Sequence, residues 1–100
     1  MEKKKNNLTA FPAIYILIDW IYKNPTGYLL LCAKQTDITY SHLSKLKNLL
    51  VTEGVLFSEE RGRQMSMVFT PKGKKIAEAI IYLRQLLEDK ENVNNEENRN

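Results

Sequence analysis

TYSHLSKLKNLLVTEGVLFSEERGRQMSMVFTP, residues 39–71, is the stretch that decides the fold. Thr39 is a good N-cap for a helix from Tyr40 to about Glu53, because its hydroxyl can accept an otherwise unpaired N–H of the first turn. Gly54 supplies the stop, where the chain usually turns left-handed. Two strand-like runs follow, Val55–Glu59 and Met65–Phe69. Between them Glu60-Arg61-Gly62-Arg63-Gln64 is a polar turn with glycine at its tip, a β-hairpin signal. Thr70-Pro71 then caps a last helix, with proline at its first position, that ends near Leu87 or Glu88.

Working outward, the first helix should start near Phe11-Pro12, with Thr9 or Ala10 as cap and Pro12 in the first turn. It runs through AIYILIDWIY and stops before Asn24-Pro25, since the residue preceding proline avoids the helical region. Tyr28 and Leu29 suit a short strand, residues from about Leu30 to Gln35 a short helix, and Thr36-Asp37-Ile38 a turn. The order is helix, short strand, helix, turn, helix, hairpin, helix, with no internal repeat. This predicts a mainly α fold with a small antiparallel β-hairpin: a winged helix-turn-helix domain over residues 9–88. Residues 1–8 read as a flexible basic N-terminus. From Glu88 onward, EDKENVNNEENRN has one apolar residue, Val93, too little to offset its ordering entropy, so residues 89–100 read as a disordered polar, acidic tail.

Composition narrows the function classes. The 43% apolar content suits one globular domain. Cys32 is the only cysteine, within the apolar run Leu29–Ala33, so no intrachain disulfide or cysteine zinc site is available, and it reads as a small buried hydrophobe. His42 is the only histidine, so no metal is expected. No signal peptide is expected, because the apolar run after the basic start shows no small-residue cleavage site. The run Ala13–Tyr22 is shorter than the ~20 residues of a membrane span and is interrupted by Asp19; a cytoplasmic protein is expected. The net charge of +3 is uneven: residues 40–75 hold seven Lys/Arg against three Glu, and residues 88–100 carry −3. A basic middle with an acidic tail fits a polyanion-binding surface, though many solvated surfaces look similar.

On the third helix, with about 100° per residue and Leu43 as origin, Leu46, Leu49 and Leu50 fall at roughly 300°, 240° and 340° and share one arc. Ser41, Ser44, Lys45 and Asn48 fall between roughly 100° and 200°, with Tyr40 and Lys47 flanking them near about 50°. Lysine can contact phosphate or guanine, asparagine can pair bidentately with adenine, and Ser or Tyr can donate to phosphate. The helix N-terminus, capped by Thr39, adds backbone donors for a phosphate. A solvated amphipathic helix accounts for these residues equally well. His42, at roughly 260°, lies in the apolar arc and reads as a packing or capping residue, a phosphate contact being the other reading. The hairpin shifts the balance, because Arg61, Gly62, Arg63 and Gln64 at a wing tip suit a DNA backbone or minor groove.

Taken together, Ile38–Leu46, Gly54-Val55-Leu56, the Arg61-Gly62-Arg63 tip and Phe69-Thr70-Pro71-Lys72-Gly73-Lys74 resemble the small winged-helix regulators of the MarR-like type, archaeal members especially. The likeness spans roughly residues 11–87. Its strongest marks are the T-Y-S-H-x-S-K helix start, the glycine at that helix's end, and T-x-K-G-K opening the last helix. The resemblance implies a winged helix that binds duplex DNA as a homodimer and regulates transcription. Two departures stand out. Lys47 occupies a position usually apolar in such proteins, with Leu49 expected to take over the packing. The chain is also shorter than a full MarR regulator, so the DNA-binding helix and wing are carried over and a ligand pocket is not.

The first helix is apolar nearly all round, with Ile14, Leu17, Ile18, Trp20 and Ile21 among its residues, which is more than one stripe of a surface helix needs. The last helix adds Ile80, Leu83 and Leu87, with Ile81 pointing elsewhere. These nine residues are expected to form a two-fold dimer interface, the other reading being a compact monomer with a wide core. The leading function is a sequence-specific DNA-binding transcriptional regulator, in the manner of a repressor, with double-stranded DNA and a second copy as partners. A protein coating DNA with low specificity, in an architectural or segregation role, competes with it. So does a winged helix used only for protein interaction. No catalytic set, cofactor or small-molecule ligand is expected: there is no glycine-rich phosphate loop, Ser41 and His42 point apart on one helix, and Asp19 reads as a solvated or hydrogen-bonded acid.

Overall fold

A computed structural model describes residues 12–89 of the chain, in the order α1 (Ala13–Lys23), α2 (Leu29–Thr36), α3 (Tyr40–Thr52), β1 (Leu56–Phe57), β2 (Glu60–Arg61), β3 (Gln64–Met65), β4 (Val68–Phe69) and α4 (Pro71–Glu88). The expectations for residues 1–11 and 90–100 lie outside the described residues. Pro12 is the N-cap of α1 rather than a residue of its first turn. The expected strand at Tyr28-Leu29 reduces to one bridge, Tyr28 to Ser66, because Leu29 already opens α2 and is fully buried.

Local signals set the ends of each element. The hydroxyl of Thr39 accepts the N–H of His42 at 3.1 Å, a side-chain cap on α3. Asp37 turns the chain from α2 to α3 with φ +66°, a left-handed conformation that Asp tolerates better than most residues. At the far end of α3, Gly54 has φ +77° and donates to Val51 O at 3.1 Å, while Val55 N–H donates to Leu50 O at 2.8 Å. These are the two bonds of a Schellman stop.

The hairpin keeps a single register from base to tip, with Leu56 opposite Phe69, Phe57 opposite Val68, Glu60 opposite Met65 and Arg61 opposite Gln64. Serines occupy the middle: Ser58 Oγ donates to Ser66 O at 2.7 Å, and Ser66 Oγ accepts from Glu59 N–H at 3.2 Å. At the two-residue tip, Gly62 has φ +63° and Arg63 does not turn positive, the II′ pattern that suits the twist of the strands. Leu56 and Met67 point into the core, while Phe57 and Val68 face outward.

The base of the hairpin meets both flanking helices at Thr70. Its N–H donates to Val55 O at 3.0 Å, its hydroxyl donates to Gly54 O at 2.6 Å, and the same oxygen accepts Gly73 N–H at 2.9 Å as the N-cap of α4. Lys72 Nζ adds a bond to Glu53 O at 3.0 Å. Gly73 is buried against this crossing, where a Cβ would sit 1.9 Å from Val55 O.

The core lies where α1 is wrapped by the other helices. Leu17, Ile18 and Ile21 pack with Leu29, Leu43, Leu50, Met67 and Ala77. Each such leucine gains about 1.5–3 kcal/mol from burial. Trp20 Nε1 donates to Gln35 Oε1 at 2.8 Å, joining α1 to α2. Cys32 is buried, and desolvation pushes its thiol up to about 11 against the lowering effect of the Thr36 hydroxyl. Asp19, buried on α1, is held by Arg84 Nε of α4 at 3.2 Å and by Lys23 Nζ at 3.3 Å, and Arg84 also pairs with Glu88 at 2.6 Å. The acid is therefore ion-paired on two sides, and removing Arg84 would take away the more buried of its two partners.

This arrangement corrects most of the expected dimer surface. Leu17, Ile18, Trp20, Ile21 and Ile80 are buried inside the protomer, and Ile14 and Ile81 are half-buried. The reason is that a helix apolar on every side can be a buried helix, and three helices of the same chain are enough to cover this one. Of the nine residues, Leu83 and Leu87 stay exposed, beside Tyr82 and Leu86.

The close approach at Gly73 makes a specific demand. Gly73→Ala should cost about 2–3 kcal/mol in urea unfolding, since backbone must shift to admit the methyl. Thr70→Val should cost about 1 kcal/mol through the lost cap. A Gly73→Ala protein as stable as the parent would show that the junction is looser than its geometry.

Candidate nucleic-acid interface

Helix α3 packs through Leu43, Lys47 and Leu50, one stripe at i, i+4 and i+7, with Leu46 half-buried beside it. Its opposite side leaves Ser41, Lys45 and Asn48 exposed, with Tyr40 at the N-terminal end. Thr39, the cap, is exposed as well, and Ser44 is half-buried. No acid occurs from Tyr40 to Thr52, so nothing on the helix itself repels a polyanion.

Three placements differ from the helical-wheel reading. Lys47 is only 7% exposed and lies under the helix rather than on its outward face. Leu49, expected to fill the core, is 47% exposed. His42, expected to pack, is exposed, and its backbone N–H rather than its ring takes part in the cap. One cause accounts for all three. The wheel fixes the angles between side chains but not the direction of the core, and packing rotated that direction toward Lys47 and away from Leu49. The Lys47 stem fills apolar space as a methylene chain. No buried side-chain nitrogen lacks a partner among the described residues, so the unpaired ammonium reaches solvent at the end of that stem.

The wing tip follows α3 directly. Arg61, Gly62, Arg63 and Gln64 are all exposed. Arg61 pairs with Glu59 at 3.1 Å, an ion pair with both side chains largely in solvent. Such a pair is worth about 0–1 kcal/mol, so the guanidinium is readily released to a stronger anion. Arg63 has no ion-pair partner among the described residues. The arrangement offers hydroxyls, an amide, an imidazole and separate cations on α3 and the wing tip, together with the N–H groups at the start of α3. Among the described residues no group of three or more His, Cys, Asp or Glu could hold a metal ion, and no helix is long and apolar enough to cross a membrane.

Comparison with known proteins places the fold. No family model matches the sequence, and no curated protein sequence does. Solved structures do match. A MarR protein from Peptoclostridium difficile superposes with TM-score 0.71 at 16% identity, over 88% of this chain and 60% of that one. Staphylococcus aureus MarR in complex with salicylate and kanamycin gives TM-score 0.71 at 20% identity, over 84% and 58%. A transcriptional regulator from Thermotoga maritima gives 0.63 at 21% identity, over 92% and 66%. The chain spans about three fifths of the length of the structures it matches. The fold is a winged helix-turn-helix like that of the MarR proteins, mainly helical with a small antiparallel hairpin.

The reassignment of Lys47 has a measurable consequence. Lys47→Leu keeps a stem of similar bulk and removes a charged end held at the edge of the core, so the urea midpoint should rise, by about 1 kcal/mol in stability. A loss of stability on this change would mean that the ammonium, not the stem, holds the site together.

Proposed function

We propose that the protein is a sequence-specific, double-stranded DNA-binding transcriptional regulator of the MarR-like type, cytoplasmic and not an enzyme. The observation that carries this reading is the exposed, acid-free face of α3 joined directly to a wing with arginines at its tip. In this reading α3 lies in the major groove. Tyr40, Ser41, Ser44, Lys45 and Asn48 meet phosphates and base edges, with Thr39 at the phosphate end. Arg61, Gly62, Arg63 and Gln64 lie along the backbone or minor groove. Lys47, assigned to this surface on sequence grounds, drops out as a base reader. The narrower likeness to archaeal regulators rests on the residues quoted for it, and no small-molecule effector is part of the proposal.

The regulator acts as a homodimer in this reading, through the exposed end of α4 at Leu83 and Leu87. A dimer presents two copies of α3 to half-sites about one helical turn apart and doubles the charge facing the duplex. Occupying a promoter in this way excludes polymerase, which makes repression the simplest mode of action.

Selection from random duplexes at physiological salt should recover a palindrome bound at least about 10³-fold tighter than unrelated DNA. Binding without a motif would instead favour a coating protein, and no binding at all a protein-interaction module. Lys45→Ala and Arg63→Ala should each weaken duplex binding and lower the slope of log affinity against log salt by about 0.9. Unchanged affinity in both would remove the DNA reading. For the dimer, Leu83→Lys with Leu87→Lys should give a folded monomer in sedimentation equilibrium. A dimer that survives both charges must pair elsewhere.

A further inference from the structure

Burying a lysine and exposing a leucine two residues later is the reverse of what a merely solvated helix would do. Single exposed leucines are common on protein surfaces, so what distinguishes this one is its position. Leu49 is 47% exposed and stands one turn beyond exposed Lys45, with exposed Asn48 about 100° further round the helix. It therefore lies at the Lys45 edge of the outward side that carries the polar residues assigned to a duplex, while Lys47 holds the seat in the core. Local rules of burial tend to be broken where a surface has work to do.

We infer that Leu49 reads the 5-methyl group of a thymine in the major groove, a step beyond the DNA reading above and resting on it. Among the four bases only thymine presents a methyl group there. A leucine pressed on that methyl buries apolar surface on both sides. Against cytosine, adenine or guanine it would cover donors and acceptors without pairing them, a penalty that adds to discrimination. Asn48, its neighbour in sequence, has the amide geometry to pair with adenine, so the third turn of α3 specifies A·T pairs. Lys45 supplies the charge that draws the phosphates to this edge, and α3 carries no acid to oppose it. An apolar side chain of a protein partner is the competing occupant.

The test uses the whole chain and the best duplex it selects. Each thymine in a half-site is replaced in turn by deoxyuridine, which differs only in lacking the methyl group. At one position the replacement should weaken binding about fourfold, the equivalent of one buried methyl. Leu49→Ala should weaken binding to the thymine duplex by at least as much and make the protein indifferent to deoxyuridine at that position. If no thymine matters, or if Leu49→Ala remains as sensitive as the parent, the inference is overturned while duplex binding stands. If Leu49→Ala binds the duplex normally but loses association with another protein, the leucine belongs to a protein contact. If no duplex is bound at all, the DNA reading fails first and takes the inference with it. The deoxyuridine arm uses the unaltered protein, so it does not depend on a variant folding.

Discussion

The close crossing of Gly73 over Val55, stitched by the Thr70 hydroxyl, is the contact on which the rest of this structure depends. It joins the end of α3, the base of the hairpin and the start of α4 within a few residues. One hydroxyl donates to the carbonyl just past α3 and accepts from the first turn of α4, supplying a partner at each of the two helix ends. A side chain at residue 73 would force these backbones apart. The T-x-K-G-K resemblance mark thus has a physical meaning: threonine to stitch, lysine to reach the Glu53 carbonyl, glycine to allow the approach. Because the wing springs from the same point, its direction relative to α3 follows from this junction.

A second constraint comes from covering α1. It is apolar on nearly every side, and α2, α3 and α4 bury Leu17, Ile18, Trp20 and Ile21 while Tyr15 and Tyr22 stay at the surface. Within that wrapping sits a charged network, Asp19 with Arg84 and Lys23, extended to Glu88. Buried pairs such as Asp19 with Arg84 contribute little net stability against a hydrophobic alternative. Here the pairing sets α4 against α1 shortly before the exposed leucines at its end.

Much of the fold was legible before any coordinates. Caps at Thr39 and Thr70, stops at Gly54 and Asn24-Pro25, and the glycine-tipped hairpin are short-range signals, each settled by a few adjacent residues. The candidate surface was legible in part. Ser41, Lys45, Asn48 and the wing arginines fell where polarity and spacing put them, while Lys47, Leu49 and His42 did not. Hydropathy ranks leucine above lysine as a core residue, yet it takes no account of a methylene stem with an exit to solvent. Most residues expected at a dimer surface are buried within the protomer for a related reason: excess apolar area says that something must cover a helix, not whether the cover comes from the same chain.

What the amino-acid sequence determined by itself was therefore the list of elements, their order and their ends, because backbone capping and turn chemistry act over three or four residues. The orientation of the core beneath α3 and the burial of α1 were decided only in the tertiary structure, since both depend on which surfaces of distant segments meet. A rotation of α3 by less than one residue's angle exchanges Lys47 for Leu49 at its edge. No local rule senses that rotation; the packing of α1, α2 and the hairpin against the helix does.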